Sequence, residues 1–275
     1  MRPQHSRWKA SLRHSPRLPR PPCRERDSHT RVRLCRGSTL FLTGSQAHHA
    51  SRVLRVELGE RVTVLDGMGQ EFLCEVAGAD KRAVQLAVRE NRVHRPRQCQ
   101  IVLLQAIPKG RIIESIIEKA TELGVHRIVP LLTERVTARL DRDGAAEKGA
   151  KWQQAAVEAI KQCGAAWLPK VEVPVRLKEF LARQETFDLA FVGALQGDTR
   201  HPREYLREFE MAQGTRPRRV AIWVGPEGDL TLEELQRIQS TGAKPITLGP
   251  LVLRVETAAI YCLSFLNYEL QSPRD

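Results

Sequence analysis

From residue 101 onward, short apolar runs alternate with stretches of helical spacing, and this alternation constrains the fold more than any other feature. IVLLQA at 101–106 reads as a buried strand. Lys109-Gly110 then opens a helix in which Ile112, Ile116, Ala120 and Leu123 share one face, and Gly124 stops it. A strand at Arg127–Leu132 and a helix across 147–162 come next, followed by strands at Leu189–Gly193 and Arg219–Val224 (RVAIWV). The spacing predicts a helix over 231–239, with Thr231 and Glu234 as a capping box, then a short strand at 246–248 and an apolar final helix at 256–269. Such a succession specifies an α/β domain with a mainly parallel sheet.

The front of the chain reads differently. Residues 62–65 and 72–76 are short apolar runs joined by Asp66-Gly67-Met68-Gly69, a hairpin signal. AVQLAV at 83–88 alternates like a third strand, and AHHASRVLRV at 47–56 has helical spacing and is rich in base. A small β-barrel over 31–94 is expected, joined through the proline-marked linker at 92–97 to the second domain over 98–271. Residues 1–30 hold prolines, arginines and serines without apolar periodicity, so a disordered basic extension is expected there, or a start codon placed too early. Prolines, Glu25 and Asp27 argue against an organelle transit peptide.

Charge separates the same regions. Residues 1–30 carry eight Arg/Lys against two acids, 31–97 carry twelve against seven, and 98–275 carry twenty-four against twenty-three. A basic front joined to a nearly neutral back points to a polyanionic partner, nucleic acid being the commonest, with a solvated basic surface as the alternative. Hydrophobic residues at 41% and charged residues at 28% are globular composition. No apolar run approaches the roughly 18–20 residues that span a bilayer, so a soluble, cytoplasmic protein is expected. The six cysteines (Cys23, Cys35, Cys74, Cys99, Cys163, Cys262) form no CxxC pair or zinc spacing, so reduced thiols and no metal are expected.

Two glycine-bearing loops follow buried strands. One is Gly225-Pro226-Glu227-Gly228-Asp229, and the other is LGPLVLRVETA at 248–258. Ligands of open α/β sheets sit beyond the carboxyl ends of strands, where glycine lets backbone come close. Neither loop matches GxGxxG or the P-loop, and ordinary strand-to-helix turns are the alternative.

This pair resembles the hallmark of SPOUT methyltransferases, and more narrowly of the bacterial 16S ribosomal RNA uracil-N3 methyltransferase family. HHASRVLRVELGERVTVLDG, PKGRIIESIIEKATELGVHRIVPLLTERV and EAIKQCG recur in the family's order, so the resemblance spans about residues 31–270. It implies an N-terminal PUA-like barrel that binds RNA and a C-terminal domain whose chain forms a deep trefoil knot. It also implies a homodimer with the active site at the subunit interface, a role the apolar final helix (Ile260, Leu263, Phe265, Leu266) suits as well as core packing does.

The cofactor implied is S-adenosylmethionine, bent between the two loops and held by Gly225, Pro226, Glu227, Gly228, Leu248, Gly249, Leu253, Arg254 and Thr257. Methylation of uracil N3 requires loss of its proton, and the imide anion spreads its charge onto O2 and O4. A fixed guanidinium stabilises that charge. Arg254 is the first candidate, with Arg135 or Arg111 second. Glu227 or Glu256 is the candidate proton acceptor, although Glu256 also suits the start of a helix. Arg52 and Arg55, beside His48 and His49, and Lys109 with Arg111 are candidates for RNA phosphate contact, a hydrated basic face being the alternative. Aromatic content of 5% argues against extensive base stacking.

The family pattern is broken at two places. Asp229 stands where the family has a second glycine, and Ala165 where it tends to have arginine. Before Ser38 the match is poor, with Arg31-Val32-Arg33-Leu34 the only material for the family's first strand. Domain order and the ELGVHRIVPLLTERV block favour 16S ribosomal RNA or the small ribosomal subunit as partner. Methylation of another RNA site remains an alternative, as does a non-catalytic RNA-binding assembly factor, which Ala165 and Asp229 favour and which Arg254 and both glycine loops oppose.

Overall fold

The computed structural model describes residues 11–14, 37–53, 55–79, 83–136, 141–194 and 198–271. The strand candidate at 31–34 lies outside them, as does the expected extension except for Ser11–His14. The chain forms two compact units, Met1–Pro96 with Ile160–Trp167, and Arg97–Ala159 with Leu168–Asp275.

The first unit contains strands β1 (Ser11–His14), β2 (Thr39–Thr43), β3 (Arg61–Leu65), β4 (Gln70–Ala79) and β5 (Ala83–Val93), antiparallel in the order β1-β3-β4-β5-β2. Side chains alternate across the pleat, and Val62, Val64, Phe72, Cys74, Val76, Val84, Leu86 and Val88 build the core. No element was expected at β1. It pairs Ser11 with Leu65 through His14 with Val62 and covers what would otherwise be the free edge of β3. β5 runs past the expected residue 88 because a bulge between Leu73 and Cys74 lets the polar stretch Glu90-Asn91-Arg92 keep pairing with β4. Apolar alternation detects only the buried half of such a strand. The basic segment at 47–56 folds as a short helix, α1 (Gly44–His48), followed by a π-helical turn at His49–Val53.

The β3–β4 turn is closed by Asp66, whose Oδ1 accepts from the Met68 amide at 2.6 Å and the Gln70 amide at 2.8 Å. Gly69, at φ 95°, donates to the Ala166 carbonyl at 2.9 Å and accepts from the His94 amide at 2.7 Å. The Trp167 ring lies against it, with Nε1 donating to the Arg95 carbonyl at 3.2 Å.

The second unit is built on strands β6 (Gln100–Ala106), β7 (Arg127–Leu132), β8 (Lys170–Val171), β9 (Val175–Arg176), β10 (Leu189–Gly193), β11 (Arg219–Val224) and β12 (Lys244–Ile246). They form one seven-stranded parallel sheet in the order β12-β10-β11-β6-β7-β8, with β9 also on β7. The expected architecture, a mainly parallel α/β domain with a smaller N-terminal β-domain, is therefore observed. Helices are α2 (Ile112–Glu122), α3 (Arg142–Cys163), α4 (Leu177–Leu181), α5 (Pro202–Gln213), α6 (Leu232–Ser240) and α7 (Val255–Gln271).

Alternate strand residues face opposite layers. Ile101, Leu103, Val220 and Ile222 pack with α2, α5 and α7, whereas Val102, Leu104, Ala221 and Trp223 pack with α4 and α6. Each such side chain contributes roughly 1.5–3 kcal/mol on full burial. The strand expected at 246–248 lies at 244–246 instead. Ile246 pairs with Gly193, the last residue of β10, so the ladder ends there and Leu248 falls in the following loop. Helix α5 was not expected, although Pro202 in its first turn, the His201–Glu204 capping box and Gly214 at φ 67° mark both its ends. No helix among the described residues is long and apolar enough to cross a membrane.

A Cβ on Gly69 would stand 2.5 Å from Trp167 Cζ2, whereas one on Gly59, at φ 83°, meets open space. Gly69→Ala is therefore expected to cost about 2–3 kcal/mol in urea unfolding, and Gly59→Ala about 1 kcal/mol from backbone strain alone. Equal costs would mean that the ring contact contributes nothing.

Candidate active site

Because the strands of the second unit are parallel, the loops leaving their carboxyl ends share one edge. These are the segments at 107–111 after β6, 133–136 after β7, 225–230 after β11 and 247–254 after β12. The chain leaves β6 through α2 toward β7, and leaves β11 through α6 toward β12 on the opposite side. Adjacent strands that diverge in this way open a crevice between their loops.

Polar contacts tie three of these loops together. Glu227 Oε1 accepts from the Lys109 amide at 2.8 Å, joining the 225–230 loop to the one after β6. Arg135 donates from Nη1 to the Gly228 carbonyl, joining it to the loop after β7. Glu234 Oε1 accepts from the Glu134 amide at 2.9 Å. The predicted residues Glu227, Gly228, Arg135 and Lys109 thus meet at one place. Arg135, read from sequence as a candidate for substrate charge, is engaged with a backbone carbonyl.

Within the 225–230 loop, the Asp229 amide donates to the Pro226 carbonyl at 2.9 Å, forming a tight turn. Gly225 sits in a tight place, since a Cβ there would lie 3.1 Å from Asp229 Oδ1 and 3.3 Å from the Leu230 amide. Asp229 itself sits at φ 63°, which explains why glycine suits the position. Asp is among the few other residues that tolerate it, and its Oδ1 accepts from the Leu230 amide at 2.8 Å.

The 247–254 loop is more open. Gly249 is at φ 105°, a Cβ there would meet no heavy atom within 4 Å, and its amide donates to Thr247 Oγ1 at 3.2 Å. The amides of Glu227, Gly228, Leu251, Val252 and Leu253 make no hydrogen bond among the described residues. Thr133 Oγ1, where the chain leaves β7, is buried without a hydrogen-bond partner among the described residues. These backbone donors and the open approach at Gly249 leave room for a ligand that accepts hydrogen bonds.

Arg254 precedes α7, its carbonyl accepting from the Ala258 amide at 2.8 Å. It is exposed and pairs with no carboxylate among the described residues. Thr257 is exposed and Glu256 half-buried in the first turn of α7, where an acid complements the helix dipole. Arg111 is exposed and lies 3.5 Å from Glu114, whose carboxyl is held below its usual range chiefly by Lys151 at 2.6 Å. Leu248 and Leu253 are partly buried against the α2–α7 core layer.

In the first unit, Arg52 and Arg55 are both exposed. Arg55 lies at φ 52°, and the next residue, Val56, turns into the core with its amide on the Ala50 carbonyl at 3.1 Å. Ala165 precedes Ala166, whose carbonyl receives the Gly69 amide, so this stretch is a structural seam beside the β3–β4 turn. Burial pushes the thiols of Cys74, Cys99 and Cys262 up to about 12, leaving them as neutral core groups. No group of three or more His, Cys, Asp or Glu among the described residues is placed to hold a metal ion.

Glu234 makes a contact with the loop after β7 that had no forewarning in the sequence. Its capping box was legible in sequence, but its bond to the Glu134 amide joins segments remote in the chain. Replacing Asp229 tests the loop's geometry. Asp229→Gly is expected to leave stability within about 0.5 kcal/mol of wild type, and Asp229→Val to cost about 1–2 kcal/mol by chemical denaturation. Equal stability of the two variants would contradict a left-handed residue at this position.

Known proteins resemble most of the chain. A family model described as an RNA methyltransferase domain matches residues 95–267, and one described as an RNA methyltransferase PUA domain matches 42–89. Ribosomal RNA small subunit methyltransferase E of Bacillus subtilis is 29% identical over 88% of this chain and 94% of its own. The enzyme of that name from Synechocystis is 32% identical over 86% of this chain and 75% of its own. A Legionella pneumophila methyltransferase solved with bound S-adenosylmethionine superposes with a TM-score of 0.78 at 33% identity, covering 86% of this chain and 94% of that one. The Neisseria gonorrhoeae small subunit methyltransferase E, also solved with S-adenosylmethionine, gives 0.73 at 26% identity, over 86% and 94%. With a matching family model over more than half its length and a relative above 30% identity, the chain belongs to the RNA methyltransferase family that carries a PUA domain.

Proposed function

We propose that this protein uses S-adenosylmethionine to methylate N3 of a uridine in 16S ribosomal RNA of the small ribosomal subunit. The observation that carries this reading is that the 225–230 and 247–254 loops both leave the carboxyl edge of one parallel sheet, with the exposed guanidinium of Arg254, which pairs with no carboxylate among the described residues, at the end of the second loop. The relatives named above, two of them solved with S-adenosylmethionine, support the donor and a small-subunit ribosomal RNA substrate, and N3 of uridine rests on the sequence resemblance.

In this reading Gly225, Pro226, Gly228, Leu248, Gly249, Leu253 and Thr257 hold the donor, largely through backbone groups. Bound S-adenosylmethionine supplies an electrophilic methyl group. The protein's own task is alignment and a tuned nucleophile. Arg254 lies beside the uracil oxygens and stabilises the charge left as N3 loses its proton. Glu227 takes that proton on Oε2, since Oε1 already holds the Lys109 amide. Arg52, Arg55, Lys109 and Arg111 contact RNA phosphates. The trefoil knot implied by sequence resemblance belongs to this proposal.

A second copy of the chain covers the apolar surface around α7. Leu251 and Val252 are 73% and 78% exposed, and Tyr261 and Tyr268 46% and 69%. Isolated apolar side chains at a surface are ordinary, but grouped ones mark an interface. Tyr261→Glu combined with Tyr268→Glu is expected to convert a dimer to a monomer in analytical ultracentrifugation. A wild-type monomer at micromolar concentration would contradict the pairing.

The direct test incubates the protein with labelled S-adenosylmethionine and either unmodified or mature small subunits, then identifies the labelled nucleoside. Label in 3-methyluridine, from unmodified subunits alone, is the expected result. Label in another nucleoside would move the reading to a different RNA site, and donor binding without transfer would favour the assembly factor. Arg254→Ala is expected to lower kcat by about 10²-fold while changing donor affinity only a few-fold. An unchanged kcat would remove Arg254 from the chemistry.

A further inference from the structure

We propose that Glu234 is a positioning residue that locks the donor-binding loop after β11 onto the loop after β7. The inference rests on the donor-binding reading given above and adds a residue to it.

Glu234 is 5% exposed and stands in the first turn of α6. Its Oε2 accepts from the Thr231 amide at 3.0 Å, and its own amide donates to Thr231 Oγ1 at 3.2 Å, completing a capping box. A capping box needs only one acceptor from the residue at this place. The second oxygen, Oε1, reaches out of the helix to the Glu134 amide at 2.9 Å. The next residue, Arg135, donates to the Gly228 carbonyl. Gly228 permits that approach, since a Cβ there would lie 3.3 Å from Arg135 Cδ.

These contacts close a ring. It runs from the carboxylate through the Glu134 amide and the Arg135 guanidinium to the Gly228 carbonyl, and returns through 229–231 to α6. Both oxygens of one buried carboxylate are used, each on a backbone amide, so neither loop shifts without exposing an unsatisfied group. The ring presets the 225–228 backbone before the donor arrives, and such pre-organisation appears as affinity.

Glu234→Gln separates the two duties of this side chain. Glutamine keeps the size and satisfies one backbone amide with its carbonyl oxygen, while its NH2 faces the other as donor against donor. Thr231→Ala is the counterpart, since it weakens the cap and leaves the Glu134 bond in place. Calorimetric titration with S-adenosylmethionine is expected to give Glu234→Gln about a tenfold higher Kd. Its kcat at saturating donor should stay within about threefold of wild type. Thr231→Ala should lower the unfolding midpoint and leave the Kd within about twofold.

A wild-type Kd in Glu234→Gln would overturn the proposal, and so would a loss of affinity in both variants that merely tracks their loss of stability. Hydrogen exchange of the Glu134 amide in donor-free protein gives a second readout. Faster exchange in Glu234→Gln but not in Thr231→Ala supports the lock, and an unchanged rate in Glu234→Gln overturns it. Failure of the wild-type protein to bind S-adenosylmethionine would defeat the donor-binding reading instead, with the exchange measurement still deciding the lock.

Discussion

Burial of β11 between β10 and β6 is the constraint from which the candidate site follows. RVAIWV has apolar residues on both faces, so it is stable only with helices on either side, and both core layers of the second unit meet on it. The strand is parallel to both neighbours, so its carboxyl end emerges beside that of β6. The chain then departs through α6 while β6 departs through α2, leaving the 107–111 and 225–230 loops side by side at one sheet edge, where Glu227 accepts from the Lys109 amide. No catalytic residue was needed to reach that placement. Hydrophobic burial and parallel pairing supply it.

What the loops add is polar and directed at backbone. Glu227, Arg135 and Glu234 each spend a charged side chain on a main-chain amide or carbonyl of a neighbouring loop. Charge-assisted hydrogen bonds of this kind are stronger than neutral ones and fix orientation as well as distance. Arg254 contrasts with them, since it has no carboxylate partner among the described residues and keeps its charge available. The candidate site thus combines charges that fix its shape with an exposed guanidinium that meets no carboxylate among the described residues.

The strands of the second unit were legible where burial is complete. Arg127–Leu132, Leu189–Gly193 and Arg219–Val224 are found at their predicted bounds because each is an apolar run between polar neighbours. The two-residue strands β8 and β9 are too short for any periodicity to register, and β12 moved because its end is set by the length of β10. In the first unit, β1 was missed because its only call on the fold is the unpaired edge of β3, a feature of another segment. The two glycine-bearing loops were singled out by family resemblance rather than by spacing, which allowed ordinary turns. Asp229 is a departure in sequence that becomes intelligible at φ 63° with its carboxylate on the Leu230 amide. The second bond of Glu234 had no sequence signal, because a capping box is local and Glu134 is not.

The central claim is that the 225–230 and 247–254 loops together hold S-adenosylmethionine. Amide hydrogen exchange across the chain, with and without the donor, tests it most directly. The expected result is protection at Glu227, Gly228 and Leu251-Val252-Leu253, whose amides have no partner among the described residues. Protection confined to other segments, or none at a saturating concentration of donor, would contradict the account.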